Sequence, residues 1–441
     1  MDGLPFENES ACGEIMNVLR SRRRVVFAII IAGALSAGAQ IYFLHGSAWE
    51  PEEPYVIAQN IVAGKGYSYK AWAGVLHPTC FIPPGYVGVL LVLWKCGLSD
   101  KGVQISNVIV LILSAGLVYL IARLLRQSCE VSFLAFLAVA WYPPLWLLVG
   151  APSPNALNIF LILVTCCQLL VMRNAPSFKN FAILGILLAA QLYIRPDVVI
   201  WVPLCAVWLW SVTRSNIKTG TFSVYCAGSV VIVCLLVAPW TVRNYEMFHK
   251  FIFISENGGA NLWVGNNPDA DGEFHPMDSP DGAYIMQKNA ELALLDDYSK
   301  DSVFQTEAQQ YIFSHPARTV KMFFVKAYYH WWMRPHAGET RGAGRFTEIY
   351  EWGYGIICIF SICGLVVLFK RGERSGASLI LVVFVYSTLV SSIFFSQTRH
   401  RMIKAEPLML MLCAVTVGSL LERRMMDSRG QVKPNHKSKE L

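Results

Sequence analysis

Residues 48–68 of the chain read AWEPEEPYVIAQNIVAGKGYS and directly follow its first long hydrophobic segment. Three carboxylates, those of Glu50, Glu52 and Glu53, lie within four residues near the start of this stretch. Apolar side chains then recur at the spacing of one helical stripe, which can lie on a membrane or protein surface. The stretch is therefore either a solvated cap after a membrane helix or a catalytic carboxylate held at the membrane interface.

The composition of the chain predicts its class. Of its 441 residues, 54% are hydrophobic and 15% are charged, whereas an ordinary soluble domain has about 25% charged residues. The mean hydropathy is +0.43. These values predict an all-α polytopic membrane protein. The net charge of +7 fits an excess of Lys and Arg in cytoplasmic loops, so we expect no nucleic-acid partner.

About ten segments approach or reach the length of about 20 apolar residues that a membrane span requires. They are 25–44, 104–125, 131–150, 155–172, 180–195, 198–213, 222–240, 350–370, 377–396 and 403–421. A further apolar piece at 86–94 is too short to span and is predicted to be an interfacial helix.

Basic residues at alternate ends of these segments set the predicted orientation, because cytoplasmic loops are enriched in Lys and Arg. The chain is predicted to lie in the plasma (inner) membrane with residues 1–24 and the basic tail 422–441 in the cytoplasm. A transmembrane domain covers 25–421. Two outward-facing lobes, 45–103 and 241–349, are expected to contain interfacial helices.

The connection before the last span does not follow this charge rule. Arg399, His400, Arg401 and Lys404 lie in a short turn that the orientation places outside. An inverted final hairpin, or side chains that reach back to the headgroups, would explain them structurally. We favour a bound anion, because arginine recognises phosphate through a planar fork of donors.

Other charged and polar residues lie at the same predicted side. Arg195 and Asp197 fall at an outer span boundary, where charges are costly and often functional, although a structural ion pair closing the turn is an equal alternative. Arg243 and Asn244 follow a span and are placed to meet a lipid headgroup. Pro143-Pro144 should break the third span and leave irregular backbone that lines a cavity.

The residues alone indicate an enzyme that acts on a lipid phosphate at the outer leaflet, or an anion transporter. A carboxylate would activate a nucleophile and arginine would stabilise a phosphate leaving group. The sequence contains no P-loop, HExxH, CxxC pair or GxSxG motif, which argues against an energy-coupled pump or a zinc protease.

Six motifs, in this order, resemble those of the GT-C superfamily of polyprenyl-phosphate-sugar-dependent glycosyltransferases. The resemblance is strongest to the bacterial branch with lipid A aminoarabinose transferase and protein O-mannosyltransferase. The motifs are EEPYVIAQNIVAGKGYS at 52–68, HPT at 77–79 with PPGY at 83–86, RPD at 195–197, PWTVRNY at 239–245, GANLWVGNNP at 259–268 and RHRMIKAEP at 399–407.

The resemblance implies an outward-facing active site in which a first-loop acid acts as the base for an inverting attack on the sugar carbon. Pro51 occupies the position where the family has its usual acid. Glu52 lies one position further along the chain and can take its place on the helix face. Glu50 and Glu53 are the other candidates.

The resemblance also implies ligands for the donor phosphate and further cavity residues. The phosphate ligands would be Arg399, His400, Arg401, Lys404, Arg243, Asn244 and Tyr55. The further cavity residues would be His77, Arg195, Asp197, Asn261 and Trp263.

The expected partners are a polyprenyl-phosphate-linked sugar donor, a glycan, lipid or protein acceptor, and membrane lipids. No cofactor is certain, and a divalent cation at the clustered carboxylates stays open. The alternative is a non-enzymatic transporter or lipid-handling protein for an anionic ligand.

Overall fold

The computed structural model describes residues 23–45, 49, 51–70, 76–274, 283–292, 295–333 and 345–430, and these are predominantly helical. The helices of the bundle are α1 (Arg23–Phe43), α4 (Asp100–Leu124), α5 (Cys129–Ala140), α6 (Pro143–Val149), α7 (Asn155–Met172), α8 (Phe178–Ile194), α9 (Val198–Thr213), α10 (Thr219–Phe248), α15 (Arg345–Lys370), α16 (Arg374–Ile393) and α18 (Glu406–Gly430). The segments between them form α2 (Glu53–Val62), α3 (Pro84–Lys95), α11 (Gly258–Gly265), α12 (Ala283–Glu291), α13 (Asp297–Ser314), α14 (Pro316–Trp331) and α17 (Thr398–Met402).

Each predicted span coincides with one of the bundle helices, and the third is the broken pair α5–α6. Among the described residues, six helices are long and apolar enough to cross a membrane, or seven when the bent pair counts as one span. They are α1, α4, α7, α10, α15 and α16, whereas α8 and α9 are apolar but shorter. The prediction of an all-α polytopic membrane protein is confirmed, and the count of ten spans is not.

The predicted break in the third span is present. Helices α5 and α6 meet at an angle of 51°. Pro144 has no N–H, so the carbonyl of Ala140 loses its helical partner. That carbonyl instead accepts hydrogen bonds from Ser36 Oγ at 2.5 Å and Trp146 Nε1 at 3.0 Å. The bend is thereby fixed to helix α1.

Helix α7 lies at the centre of the bundle and α1 at its rim. Of the span window of α7, 72% is buried, compared with 17% for α1. Close backbone contacts hold other pairs: a Cβ atom at Gly364 of α15 would lie 2.1 Å from the carbonyl oxygen of Leu412 in α18. Only glycine permits this approach, which is typical of helix packing in membranes.

One end of the bundle is closed by an ion-pair cluster centred on Glu373, before α16. Its carboxylate contacts Arg126 Nε at 3.2 Å and Arg173 Nη1 at 3.3 Å. Arg173 also donates to Ser375 Oγ at 2.8 Å and to the Leu124 carbonyl at 3.0 Å. The cluster joins the ends of α4, α7 and α16.

The first connecting segment, between α1 and α4, contains α2, a two-stranded antiparallel sheet and α3. The strands are β1 (Ser68–Tyr69) and β2 (His77–Pro78). Tyr55, Ile57 and Ala58 of α2 are buried, whereas Val62 is 68% exposed. The predicted apolar stripe therefore packs against protein at the start of the helix. Helix α3 has 12 residues, too few for a straight span.

The second connecting segment differs from the prediction at two places. Helix α10 continues to Phe248, beyond the predicted span end at residue 240, so Arg243 and Asn244 lie in its last turns. The sequence pattern of residues 303–333 predicts one amphipathic helix, but the structure has two helices, α13 and α14, that meet at His315. Pro316 explains the break, because proline disfavours helical backbone at the residue before it.

Candidate functional site

A cavity of about 450 Å³ lies at the end of the bundle opposite the Glu373 cluster. Its lining comes from the starts of α2, α7, α9 and α11, the ends of α8 and α16, and the short helix α17. Helix starts carry partial positive charge and favour anions nearby. Seven of the predicted site residues line this cavity: Glu52, Glu53, Arg195, Asp197, Asn261, Arg399 and His400.

Glu52 is the N-cap residue of α2, directly before the first helical residue, Glu53. Pro54 follows at the first turn, where its fixed φ and missing N–H suit a helix start. The Glu52 side chain makes no capping bond within the described part of the chain, so its carboxylate remains available to the cavity. Burial raises the pKa of Glu52 above its ordinary value, Arg399 opposes this rise, and Glu53 adds to it.

Arg399 lies at the other side of the cavity, and its positive charge acts to lower the pKa of Glu52. It lies on α17 and is partly exposed. Its Nε donates to Gln397 Oε1 at 2.9 Å, which fixes the guanidinium with its terminal donors still available. The cavity therefore has a carboxylate from the first connecting segment and an arginine from the last one.

Arg195 and Asp197 form the turn between α8 and α9. Arg195 Nε lies 3.6 Å from Asp197 Oδ2, and Lys404 Nζ lies 2.9 Å from the same oxygen. Burial alone would raise the pKa of Asp197, but Lys404 and Arg195 hold it below its ordinary value. Asp197 is thus an ionised carboxylate with two cations, and Arg195 extends to the cavity.

Arg401 lies away from the cavity lining and is fully buried. Its Nε pairs with Glu406 Oε1 at 3.1 Å, Nη1 donates to the carbonyls of His330 and Trp332, and Nη2 donates to Tyr350. The guanidinium also lies 3.9 Å from the ring centre of Tyr354. These contacts join α14, α15 and α18 rather than leaving donors for a ligand.

Four other predicted residues also lie outside the cavity lining. Tyr55 donates to Asp100 Oδ2 at 2.8 Å. Arg243 Nη1 donates to the Thr79 carbonyl at 2.9 Å and stacks over Trp240. Asn244 Nδ2 donates to the Ile252 carbonyl at 3.2 Å, and Trp263 Nε1 donates to Glu307 Oε2 at 3.1 Å.

His77 connects the two connecting segments rather than lining the cavity. Its Nε2 lies 3.5 Å from Asp297 Oδ1, and Thr79 Oγ1 donates to Asp297 Oδ2 at 3.3 Å. Burial raises the pKa of Asp297, and His77 and Thr79 oppose this rise. Glu50 lies outside the described residues.

The backbone N–H groups at the glycine-rich start of α11 already have hydrogen-bond partners. The backbone N–H groups of Gly259 and Ala260 donate to the two carboxylate oxygens of Asp301, at 3.1 Å and 2.8 Å. These donors are therefore not available for an anion. The carboxylate instead fixes α11 so that Asn261 lies at the cavity.

Asn155 and Asn257 also line the cavity but were not among the predicted site residues, although the turn that ends at Asn155 was expected to leave irregular backbone at a cavity. Asn155 begins α7 directly after Pro152-Ser153-Pro154, and its Nδ2 donates to Ser153 Oγ at 2.9 Å. The proline-rich turn was the available signal, because it marks irregular backbone next to a cavity. Asn257 had no signal beyond its place in a Gly/Asn run.

The described residues do not assemble a divalent-cation site. They contain no group of three or more His, Cys, Asp or Glu side chains placed to hold a metal ion. At the cavity, Glu52 and Glu53 face Arg195 and Arg399, and Asp197 is already paired with cations.

No family model matches the chain, and no curated protein matches it. Among solved structures, it is similar to the oligosaccharyltransferase of Archaeoglobus fulgidus tethered by a disulfide bond to an acceptor peptide with the NVT sequon. The TM-score is 0.57 at 13% identity, over 96% of this chain and 52% of that one. The complex of the Archaeoglobus fulgidus oligosaccharyltransferase with Zn and sulfate gives 0.52 at 11% identity, over 92% and 51%.

An ArnT from Cupriavidus metallidurans bound to undecaprenyl phosphate matches with a TM-score of 0.39 at 15% identity, over 93% of this chain and 81% of that one. The chain spans about half the length of the archaeal oligosaccharyltransferase. The likeness to that oligosaccharyltransferase shows a shared fold, which agrees with the fold that the motif resemblance implies.

Proposed function

We propose that this protein is an integral membrane glycosyltransferase that moves a sugar from a polyprenyl-phosphate donor to an acceptor. The observation that carries the proposal is the meeting of Glu52 and Arg399 in one cavity. A carboxylate with a raised pKa and an arginine with open donors are the two groups that this transfer requires. The archaeal oligosaccharyltransferase with the same fold is itself a glycosyltransferase, which adds support.

The donor phosphate would bind at Arg399. A guanidinium presents parallel N–H donors to two phosphate oxygens and keeps its charge at all relevant pH values. Arg195 lies at the same cavity and is held in place by Asp197. The two cations would stabilise the negative charge that grows on phosphate as the sugar leaves.

Glu52 would be the general base. The acceptor group, placed between Glu52 and the sugar, loses its proton to the Glu52 carboxylate while its electron pair forms a bond to the anomeric carbon. The bond from that carbon to the phosphate oxygen breaks, and its electrons leave with the polyprenyl phosphate. Attack from the face opposite the phosphate inverts the anomeric configuration. Burial makes Glu52 a stronger base than an exposed carboxylate.

The cavity has a suitable size and lining for this substrate. Its volume of about 450 Å³ falls within the usual range of about 300–1,000 Å³ for small-molecule sites. Phe81, Phe394 and Phe395 supply apolar wall around the few charged groups. Such walls exclude water, which would otherwise compete as the acceptor.

The sidedness of the site follows from charge bias. With both termini cytoplasmic, as the basic residues favour, the cavity lies at the outer or periplasmic face of the inner membrane. A cysteine-labelling experiment on single-cysteine variants tests this arrangement. Cys96, the exposed cysteine after α3, should react with a membrane-impermeant thiol reagent from outside. Reaction only after the membrane is permeabilised would reverse the orientation.

The function is tested by incubating the protein in lipid nanodiscs with a panel of radiolabelled polyprenyl-phosphate sugars and candidate acceptors. The expected result is acceptor-dependent release of free polyprenyl phosphate from at least one donor. A divalent-cation dependence is checked in the same assay with a chelator. The non-enzymatic alternative predicts donor binding, or movement of an anion across vesicle membranes, without release of lipid phosphate.

A further inference from the structure

At the edge of the cavity, two cations share one carboxylate, that of Asp197 in the turn between α8 and α9. Lys404 Nζ lies 2.9 Å from Asp197 Oδ2, whereas Arg195 Nε lies 3.6 Å from the same oxygen. The Tyr386 hydroxyl donates to the other carboxylate oxygen, Oδ1, at 3.4 Å. The carboxylate is therefore shared unequally: the lysine makes the close ionic contact, and the arginine lies just beyond hydrogen-bond distance.

The two cations differ in their access to the cavity. Arg195 lines the cavity and its side chain is partly exposed. Lys404 is not among the lining residues, and its side chain is fully buried. Its ammonium group lies 5.6 Å from the ring centre of Tyr386, on the protein side of the cluster. An anion in the cavity would therefore contact Arg195 and not Lys404, although the motif resemblance implies Lys404 as a phosphate ligand.

The cluster has an excess of positive charge near neutral pH. Burial lowers the pKa of Lys404 to about 8, and Asp197 opposes this fall, so the ammonium group is mostly charged at pH 7. Two cations and one carboxylate then leave one positive charge uncompensated. Within the part of the chain that the structure describes, the Arg195 guanidinium has Asp197 as its ionic partner and donates no hydrogen bond. The uncompensated charge is thus available at the cavity through Arg195.

Removal of the Lys404 charge would change the partner of Asp197. A largely buried, ionised carboxylate is costly unless a cation pairs with it. Arg195 is the other cation in contact with Asp197, and a small movement would bring its guanidinium into hydrogen-bond distance of the carboxylate. The resulting pair would be neutral, and its donors would point at Asp197 instead of the cavity. Lys404 therefore prevents Asp197 from capturing the arginine.

We propose that Lys404 is a positioning residue for the donor phosphate. It neutralises Asp197 and thereby leaves Arg195 with the charge and the free donors that bind phosphate. The inference rests on the proposed function. It gives Lys404 an action through two other residues, in place of the direct phosphate contact that the motif resemblance implies. The two roles predict opposite results when Asp197 is neutralised together with Lys404, because only a direct ligand would still be missed.

The test compares a single and a double variant of the full-length protein in nanodiscs, titrated at pH 7 with a sugar-free polyprenyl monophosphate. Lys404→Met should raise the Kd about tenfold, as for the loss of a hydrogen bond to a charged group. The double variant Asp197→Asn, Lys404→Met also removes the carboxylate that would capture Arg195. Its Kd should return to within about threefold of wild type. A double variant that binds as weakly as Lys404→Met would overturn the proposal.

The double variant decides the question alone if Lys404→Met does not fold. Removing both members of a buried ion pair costs much less stability than removing one, because no charge is left unpaired. A Kd near that of wild type would then support the proposal, and a rise of about tenfold would overturn it.

Tyr386→Phe is the matched control, since it removes a contact of Asp197 without changing any charge. It should change the Kd less than about twofold. A rise as large as that expected for Lys404→Met would overturn the role of charge. A second ligand, the polyprenol of equal chain length without phosphate, separates charge from distortion. Lys404→Met should bind this polyprenol as wild type does, and a parallel loss of affinity for both ligands would also overturn the proposal.

The same measurements distinguish failure of this inference from failure of the proposed function. If wild-type protein neither binds polyprenyl monophosphate nor releases it from any donor, the proposed function fails and this inference fails with it. If wild-type protein does both and the double variant does not recover phosphate binding, only the inference fails.

Discussion

The two ends of the helix bundle differ in how completely their buried charged groups are paired. At one end, the Glu373 carboxylate contacts Arg126 and Arg173, and Arg173 has further partners in Ser375 and the Leu124 carbonyl. At the other end, Glu52 and Arg399 face each other across a cavity without direct contact, and burial raises the pKa of Glu52.

The difference indicates which end is prepared for a ligand. A fully partnered cluster has already recovered the cost of removing its charges from water, so a ligand would have nothing to add. An incompletely partnered one keeps free donors and acceptors whose interactions are completed only when substrate binds. Catalytic groups of this second type often have strongly shifted pKa values.

The same contrast occurs within one turn, between residues two positions apart. Arg399 presents its guanidinium to the cavity, whereas Arg401 has Glu406, Tyr350 and two carbonyls as partners and is completely buried. Both arginines belong to the same sequence motif, RHRMIKAEP at 399–407. The first three tests below separate the ligand-binding charges from the structural ones.

The largest expected effect belongs to Glu52→Gln. Loss of the general base should reduce sugar transfer by about 10²–10⁴-fold, with unchanged membrane insertion and thermal unfolding. Glu246→Gln, which changes an exposed carboxylate near the end of α10, is the matched control and should transfer normally. If transfer survives both in Glu52→Gln and in Glu50→Gln, the assignment of the base is wrong.

The next largest effect is expected for Arg401→Met. This substitution removes one partner of a completely buried ion pair and leaves the Glu406 carboxylate without its arginine. We expect a loss of about 3–5 kcal/mol in the free energy of unfolding. It would be measured as a lower Tm, or a lower yield of folded protein, in detergent. A variant with wild-type stability and specifically weakened donor binding would instead make Arg401 a phosphate ligand.

Arg399→Met, the matched substitution two residues earlier, should show the reverse profile. Its Tm should stay near that of wild type, because the Arg399 side chain is partly exposed and its Nε donates a hydrogen bond to the neighbouring Gln397. Affinity for polyprenyl phosphate should fall about 10–100-fold, as expected for a lost charge-assisted hydrogen bond. Unchanged donor dependence would favour a purely structural turn.

The smallest effect concerns the dependence of stability on pH. Burial raises the pKa of Glu256 to about 7, with Asp301 and Asp297 adding to the rise. The folded state therefore holds this proton more tightly than the unfolded state does, and stability falls as the pH rises from the ordinary glutamate value toward 7. Glu256→Gln should raise the Tm at pH 8 and change it little at pH 4.

Glu373→Gln provides the contrasting control for that experiment. Its carboxylate is paired with Arg126 and Arg173, so its removal should lower the Tm at pH 8 where removal of Glu256 raises it. Transfer by the folded fraction should remain normal, because Glu373 lies at the end of the bundle away from the cavity. Two variants that shift the Tm in the same direction would remove the distinction between the two ends.

Hydropathy was sufficient to predict the bundle helices, because membrane-spanning segments must be helical and apolar over a known length. Proline was sufficient to predict the bend after Ala140. The continuation of α10 to Phe248 was not predictable in this way, since polar side chains such as Asn244 end a hydropathy segment without ending the helix. Asn244 is fully buried there through its contacts with the Ile252 and Ile254 carbonyls.

The sequence predicted which residues form the candidate site better than it predicted how those residues are arranged. Ordered motifs identified Glu52, Arg195 and Arg399, which the fold brings to one cavity. The motifs could not separate these from Arg401 or Arg243, because decisive partners of both, such as Tyr350 and Thr79, come from distant parts of the chain. None of the six motifs includes His330, whose serine contacts lie 57 and 61 residues away. Contacts of this kind are set by packing and leave no local pattern.

The bend between α5 and α6 has a consequence for the order of synthesis. Ser36 and Gln40 lie inside the first hydrophobic helix, and both direct a side-chain donor at the Ala140 carbonyl, at 2.5 Å and 3.4 Å. When α1 leaves the ribosome, that carbonyl is still about a hundred residues from being made. The first helix must therefore enter the bilayer with two polar side chains lacking their final partner, and it becomes fixed only when the broken helix arrives beside it.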